Sequence, residues 1–290
     1  MLVKQDLVGH SGCKLEVIEN KKGLFVIKTS KDIEYNKRLK YQYKKQKDYV
    51  GIFKTPKIIY KNIDKEGLFF FKMEYINGLK LSDYIESADK NFLNMISKKF
   101  LSIIKESECY DKNAKDIILF KIKDLKTKIS PPNYAKNILN NSIKTLEKYE
   151  WSKCIKSDCH GDFTLENILV KDKELYVIDF LDSFYDSWLV DMAKAFQDLE
   201  CFWSYRNYEK VSENLKTRIF TLKQLIIDDI LLMKNGKGYL ITIYHFLLLN
   251  LLRILPYTKD LKIEKYLYKE IDKVVKLIEN YVYTYNSLRR

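Results

Sequence analysis

Apolar and polar positions change rhythm along this chain, and the changes divide it into regions. Up to about residue 30, short apolar runs alternate with turns. Leu2–Val8, Lys14–Ile18 and Leu24–Lys28 predict three strands, and Asn20-Lys21-Lys22-Gly23 between the last two is good hairpin chemistry. Residues 31–50 are polar, basic and helical in pattern. Ile52–Tyr60, which contains Pro56, and Gly67–Glu74 predict two further strands. From Leu79 the apolar spacing becomes three to four. Leu81-Ser82-Asp83 opens a helix, Asn91–Cys109 continues the pattern, Pro131-Pro132 breaks it, and Tyr134–Glu150 is amphipathic. One strand-like island follows: Ile168-Leu169-Val170, a charged turn at Lys171–Lys173, and Leu175–Ile178. Residues 200–290 are almost wholly helical in pattern, with breaks at Asn235-Gly236-Lys237-Gly238 and Pro256, and Ile271–Leu288 is expected to dock on the domain.

The island carries the chemistry. It is preceded by Ser157-Asp158-Cys159-His160-Gly161-Asp162-Phe163-Thr164-Leu165-Glu166-Asn167, and its second strand runs into Asp179 and Phe180. A hairpin here brings Asn167 and Asp179 to the same end of neighbouring strands, with Asp162 in the loop just before. Two acids and an amide oxygen converging on one point suit a hard divalent cation and a hydroxyl to be activated.

The spacing resembles the aminoglycoside phosphotransferase and choline kinase superfamily, in which His-Gly-Asp, four variable residues and Asn are followed by Ile-Asp-Phe or Ile-Asp-Trp. His160, Gly161, Asp162, Asn167, Ile178, Asp179 and Phe180 fill every fixed position. The resemblance implies an α+β, two-lobed, protein-kinase-like fold. A small N-terminal antiparallel sheet with one helix would bind nucleotide (residues 1–76), and a larger, mainly helical lobe would carry catalysis and substrate binding (residues 77–290). It further implies transfer of the γ-phosphoryl group of ATP, or another nucleoside triphosphate, to a hydroxyl. Asp162 would be the catalytic base, Asn167 and Asp179 would hold Mg²⁺, and His160 and Asp191 would support the catalytic loop, Asp191 from the position that opens the next helix.

The N-terminal region fits nucleotide. A turn at Gly9–Gly12, with Ser11, lets backbone N–H groups approach phosphate oxygens without a crowding side chain. Lys28 in Val26-Ile27-Lys28 matches the superfamily's strand lysine. Leu68–Gly78, with Met73-Glu74-Tyr75, resembles its hinge, where Glu74 and Ile76 would meet adenine through their backbones. One departure stands out. The helix that usually supplies a glutamate to the strand lysine has only Glu34 near its start, with Gln42 and Gln46 in its middle, and any of the three could orient Lys28.

Composition narrows the setting. The 290 residues include 9 Gly and 4 Pro, as in an ordered, helix-rich protein. Net charge is +13, but the lysines are spread over nearly every segment, and no arginine tract or aromatic-basic platform points to nucleic acid. Cys13, Cys109, Cys154, Cys159 and Cys201 are odd in number, lack zinc-site spacing and are expected to be thiols in a reducing compartment. Tyr239–Leu255 is apolar, yet His245, Asn250 and Arg253 recur in it at helical spacing, which predicts a buried helix rather than a membrane span. The expectation is a cytoplasmic monomer or homodimer whose partner is a small-molecule hydroxyl acceptor, with no nucleic acid and no membrane.

Three functions compete: a sugar or amino-alcohol kinase, an aminoglycoside kinase, and a catalytically silent kinase-like module. The short link from Asp179 to Asp191 leaves no room for a long activation segment and disfavours a protein substrate. Acceptor contacts are sought after Asp191, with Trp203, Tyr205, Arg206, His245 and Arg253 as candidates.

Overall fold

Alternating apolar residues and tight turns at the N-terminus give five antiparallel strands: β1 (Leu2–Leu7), β2 (Lys14–Asn20), β3 (Gly23–Thr29), β4 (Ile58–Ile63) and β5 (Phe69–Glu74). Their order in the sheet is β1-β2-β3-β5-β4. This computed structural model describes residues 2–7, 12–21, 23–106 and 110–287, with side chains for 12–21, 23–106 and 110–281. β4 starts later than its apolar pattern suggests. Pro56 has no N–H to give a ladder, and just before it the backbone of Lys54 bonds instead to Leu175 and Val177.

One helix, α1 (Asn36–Lys47), lies against this sheet. Leu39 and Tyr35 are buried with Cys13, Val26, Phe69, Phe71 and Met73, and Tyr43 meets the rings of Phe69 and Phe71 edge-on. The helix begins five residues later than the basic stretch, because Asp32 Oδ1 accepts the Tyr35 N–H and holds a turn ahead of it.

A smaller sheet joins β6 (Leu79–Lys80), β7 (Ile168–Lys171) and β8 (Glu174–Val177), with the four-residue helix α2 (Leu81–Tyr84) after β6. Asp172 and Lys173 both have positive φ, the two-residue turn geometry whose twist matches the strands it joins. These elements form one compact unit: residues 1–84, 160–162 and 166–182. The pairing of Leu79 and Lys80 with Val170 and Leu169 ties this stretch of the chain to the hairpin.

The second unit comprises residues 85–159, 163–165 and 183–290 and is helical. It contains α3 (Lys90–Leu101), α4 (Ala114–Lys128), α5 (Lys136–Lys148), α6 (Trp188–Leu199), α7 (Glu213–Leu231), α8 (Gly236–Ile254) and α9 (Leu261–Ser287). The pattern begun at Asn91 ends in α3 at Leu101, short of Cys109, which lies outside the described residues. The apolar stretch around α8 is the centre of this unit, 83% buried in its most apolar window, as a core helix is. Trp188 and Phe196 of α6 meet Tyr239 and Tyr244 of α8 edge-on, and α9 buries Leu267, Ile271, Val274 and Ile278. Cys13, Cys154, Cys159 and Cys201 are buried, and none is disulfide-bonded to another described cysteine.

His245 belongs to this core. It is buried and stacked on Tyr149 at 3.8 Å, and its Nδ1–H donates to the Ile241 carbonyl. Burial pushes its pKa down to about 4, and burial does the same to His160 in the first unit. For a base whose folded pKa is depressed, the unfolded chain binds the extra proton. Stability from the neutral ring is therefore complete above about pH 6.5 and is lost as pH falls toward 4. His245→Phe should remove one of the two contributions. Between pH 7 and pH 5 the wild-type chain should lose about 2 kcal/mol more than the variant, read from urea unfolding at both pH values.

Candidate active site

The antiparallel register Ile168↔Val177 places Asn167 and Ile178 opposite one another, and the Ile178 N–H donates to the Asn167 carbonyl at 3.0 Å. Asp179 follows directly. Its φ of 59° lies in the left-handed region, where a non-glycine residue is held only by its surroundings. The hairpin thus does what its sequence predicts.

The loop before β7 is tied to it. Asn167 Nδ2 donates to both the carbonyl and the Oδ2 of Asp162, each at 2.9 Å. The amide nitrogen therefore fixes Asp162, and the Asn167 oxygen remains as the group that could meet a cation. His160 lies beneath the loop. Its Nδ1 accepts the Asp162 N–H at 3.2 Å, so its Nε2 carries the proton and donates to the Ile178 carbonyl at 2.8 Å. The ring packs on Phe180 at 4.4 Å. A buried imidazole with its pKa near 4 is a neutral brace rather than a proton carrier. Gly161 cannot be another residue without strain: its φ is 92°, and a Cβ there would run into the Leu181 carbonyl oxygen.

Lys28, on β3, has a side chain only 3% exposed, and its Nζ lies 2.5 Å from Asp179 Oδ1. Its partner is none of the three candidates from the helix region. Glu34 is exposed ahead of α1. Gln42 and Gln46 are buried but donate elsewhere, Gln42 to Tyr35 Oη and Asp182, and Gln46 to the Pro56 carbonyl. Lys28, Asp162, Asn167 and Asp179 all belong to the first unit.

The other candidates have mixed placements. Gly9 and Ser11 lie outside the described residues, whereas Gly12 is exposed with φ of 76° just before β2. Glu74 ends β5 with its N–H committed to the Lys57 carbonyl, and Ile76 is buried with its carbonyl accepting from Gly78. Asp191 is buried in the first turn of α6, in the second unit, but it does not open that helix. Ser187 is the cap, its Oγ accepting the Leu189 N–H. Asp198, two turns further on and fully buried, was not expected to support the loop. Its Oδ2 accepts the Leu165 N–H at 2.6 Å, and its Oδ1 takes the N–H and hydroxyl of Ser204. Its place on an apolar helix face was the available signal, since a carboxylate survives there only with several donors.

Of the acceptor candidates, Tyr205 is buried alongside His245 in the helical core. Arg206 stacks on Trp203 at 4.2 Å and Arg253 on Phe184 at 4.7 Å, both half-buried.

With this geometry, comparison with known proteins is informative. A thermostable mutant of aminoglycoside phosphotransferase APH(4)-Ia, in ternary complex with AMP-PNP and hygromycin B, superposes with a TM-score of 0.64 at 13% identity, covering 95% of this chain and 94% of that one. The fold is that of an aminoglycoside phosphotransferase. Ethanolamine kinase from Plasmodium vivax is also similar, with a TM-score of 0.51 at 16% identity over 93% of this chain and 81% of that one. No protein-family model matches the sequence, and no curated protein matches it. The α+β, kinase-like architecture expected from the His-Gly-Asp motif is therefore the architecture found.

Mg²⁺ fits the residues present. The donors are oxygens only, a carboxylate on Asp179 and an amide oxygen on Asn167 whose own nitrogen is engaged, and hard divalent cations take such sets.

Proposed function

We propose that the chain is an ATP- and Mg²⁺-dependent phosphotransferase that moves the γ-phosphoryl group to a hydroxyl of a small molecule, a sugar or an amino alcohol. The observation that carries this reading is the gathering of Lys28, Asp162, Asn167 and Asp179 in one compact unit on the phosphotransferase fold. A silent module would have no need to keep all four.

In this reading Asp162, oriented by Asn167, hydrogen-bonds the acceptor hydroxyl and accepts its proton. Lys28 neutralises phosphate charge from a buried position on β3. Asn167 and Asp179 hold Mg²⁺, which when bound offsets the negative charge of the phosphates. The Glu74 carbonyl and the Ile76 N–H, two residues apart, suit the donor and acceptor on the edge of adenine. Gly9, Ser11 and Gly12 would cover the phosphates. His160 and Asp191 support the loop. Residues 1–76 serve the nucleotide and residues 77–290 serve catalysis and the acceptor. A cytoplasmic monomer or homodimer, with no nucleic-acid or membrane partner, completes the reading.

Charge supports this acceptor class. A polycationic drug needs unpaired acids, whereas the fully buried Asp198 is saturated by backbone and serine donors. Glu200 is buried too, held by Lys223, Lys273 and Tyr244. Glu209 is exposed, in a chain at +13. A coupled ADP-release screen over sugars, amino alcohols and aminoglycosides tests this. The best neutral or zwitterionic acceptor should exceed every aminoglycoside. Drug phosphorylation with kcat/KM above roughly 10⁴ M⁻¹s⁻¹ would favour the resistance reading instead.

A further inference from the structure

Helix α1 carries six cations (Lys37, Arg38, Lys40, Lys44, Lys45 and Lys47) and no acid, so it has no carboxylate to offer Lys28. Its polar connection to the active site runs the other way. Arg38, Gln42 and Lys45 recur at i, i+4 and i+7, one face of the helix. All three reach the segment that follows Asp179. Arg38 Nε donates to Asp182 Oδ1 at 2.5 Å, Gln42 Nε2 to the same oxygen at 3.3 Å, and Lys45 Nζ to the Leu181 carbonyl at 3.0 Å. Gln42 is buried and also donates to Tyr35 Oη, while the Arg38 guanidinium lies 5.2 Å from the Tyr35 ring centre. From the other side, the Leu181 N–H donates to the His160 carbonyl. A left-handed Asp179 persists only if its flanks are fixed, and these contacts fix the C-terminal flank.

We propose that Arg38, Gln42 and Asp182 form a positioning clamp that holds the Asp179 turn in place for a cation, acting through that turn and not as ligands. It rests on the phosphotransferase reading, and it supplies from the segment side the anchoring carboxylate that α1 lacks. The Arg38 and Asp182 side chains are 49% and 33% exposed, so their ion pair adds little to overall stability. Its contribution is to geometry. Partners hydrogen-bonded to a metal ligand typically change metal affinity by roughly 10–100-fold when removed, and the clamp acts one step further out, on the segment that carries Asp179.

The test uses the full chain as wild type, R38M, D182N and the double variant. AMP-PNP binding is titrated calorimetrically with and without Mg²⁺, and urea unfolding is followed in parallel. Each single variant should weaken Mg²⁺-dependent binding roughly tenfold or more. Metal-free binding and the urea midpoint should stay near wild type, and the double variant should be no worse than the worse single, as for two residues acting as one unit. Unchanged Mg²⁺-dependent affinity, equal losses with and without Mg²⁺, or fully additive losses would each overturn the clamp. Arg38 is half exposed, so R38M alone decides the matter should D182N fail to fold. Wild-type chain that bound no AMP-PNP would remove the phosphotransferase reading and the clamp together. Wild-type binding with unaffected variants would remove only the clamp.

Discussion

Replacing Asp162 by Asn is expected to lower turnover by roughly 10²–10⁴, the range lost with general-base help, while nucleotide affinity stays near wild type. The substitution keeps the shape of the side chain, and Asn167 Nδ2 can still donate to the amide oxygen that replaces Oδ2. What disappears is the ability to take a proton. His160 cannot substitute for it, because its Nδ1 already accepts the Asp162 N–H and its Nε2–H is given to Ile178. Steady-state rates with the best acceptor, together with an AMP-PNP titration, separate the two effects. Near-normal turnover in the variant would remove Asp162 from the chemistry.

Asp179→Ala should have two effects with one cause. Mg²⁺-dependent nucleotide binding should vanish, because one of the two oxygen donors from the chain is gone. The fold should also lose stability, by about 3 kcal/mol, because Lys28 is left as a buried cation without its counter-charge. A double variant that also carries Lys28→Met separates these outcomes. Stability should return toward wild type, whereas Mg²⁺-dependent binding should not. If the single variant kept its full Mg²⁺ response in calorimetry, the cation would have to be held elsewhere.

The parts of this site that were legible in the sequence are those written in local turn chemistry. His160, Gly161, Asp162 and Asn167 lie within eight residues, and the two-residue turn at Asp172 and Lys173 fixes where Asp179 falls relative to Asn167. Spacing along the chain then becomes proximity in space. The partner of Lys28 was not legible in that way, because it lies 151 residues away. Attention to the helix glutamate that the resemblance leads one to expect pointed toward Glu34, Gln42 and Gln46, but α1 carries no acid at all. Asp198 was missed for a related reason. Read as a charge, it looks available to a cationic ligand; placed on a buried helix face, it must spend both oxygens on donors. Ser187 and Asp191 show the limit of boundary reading, since either could start α6, and the hydroxyl four residues earlier does so.

Phosphorus NMR of one reaction bears most directly on the central claim. The wild-type chain is incubated with ATP, Mg²⁺ and a pooled set of sugars and amino alcohols. The proposed function predicts a phosphomonoester resonance that grows in step with ADP, depends on Mg²⁺, and is absent when Asp162→Asn replaces the wild type. ADP accompanied only by inorganic phosphate, or no consumption of ATP with any acceptor in the pool, would contradict it.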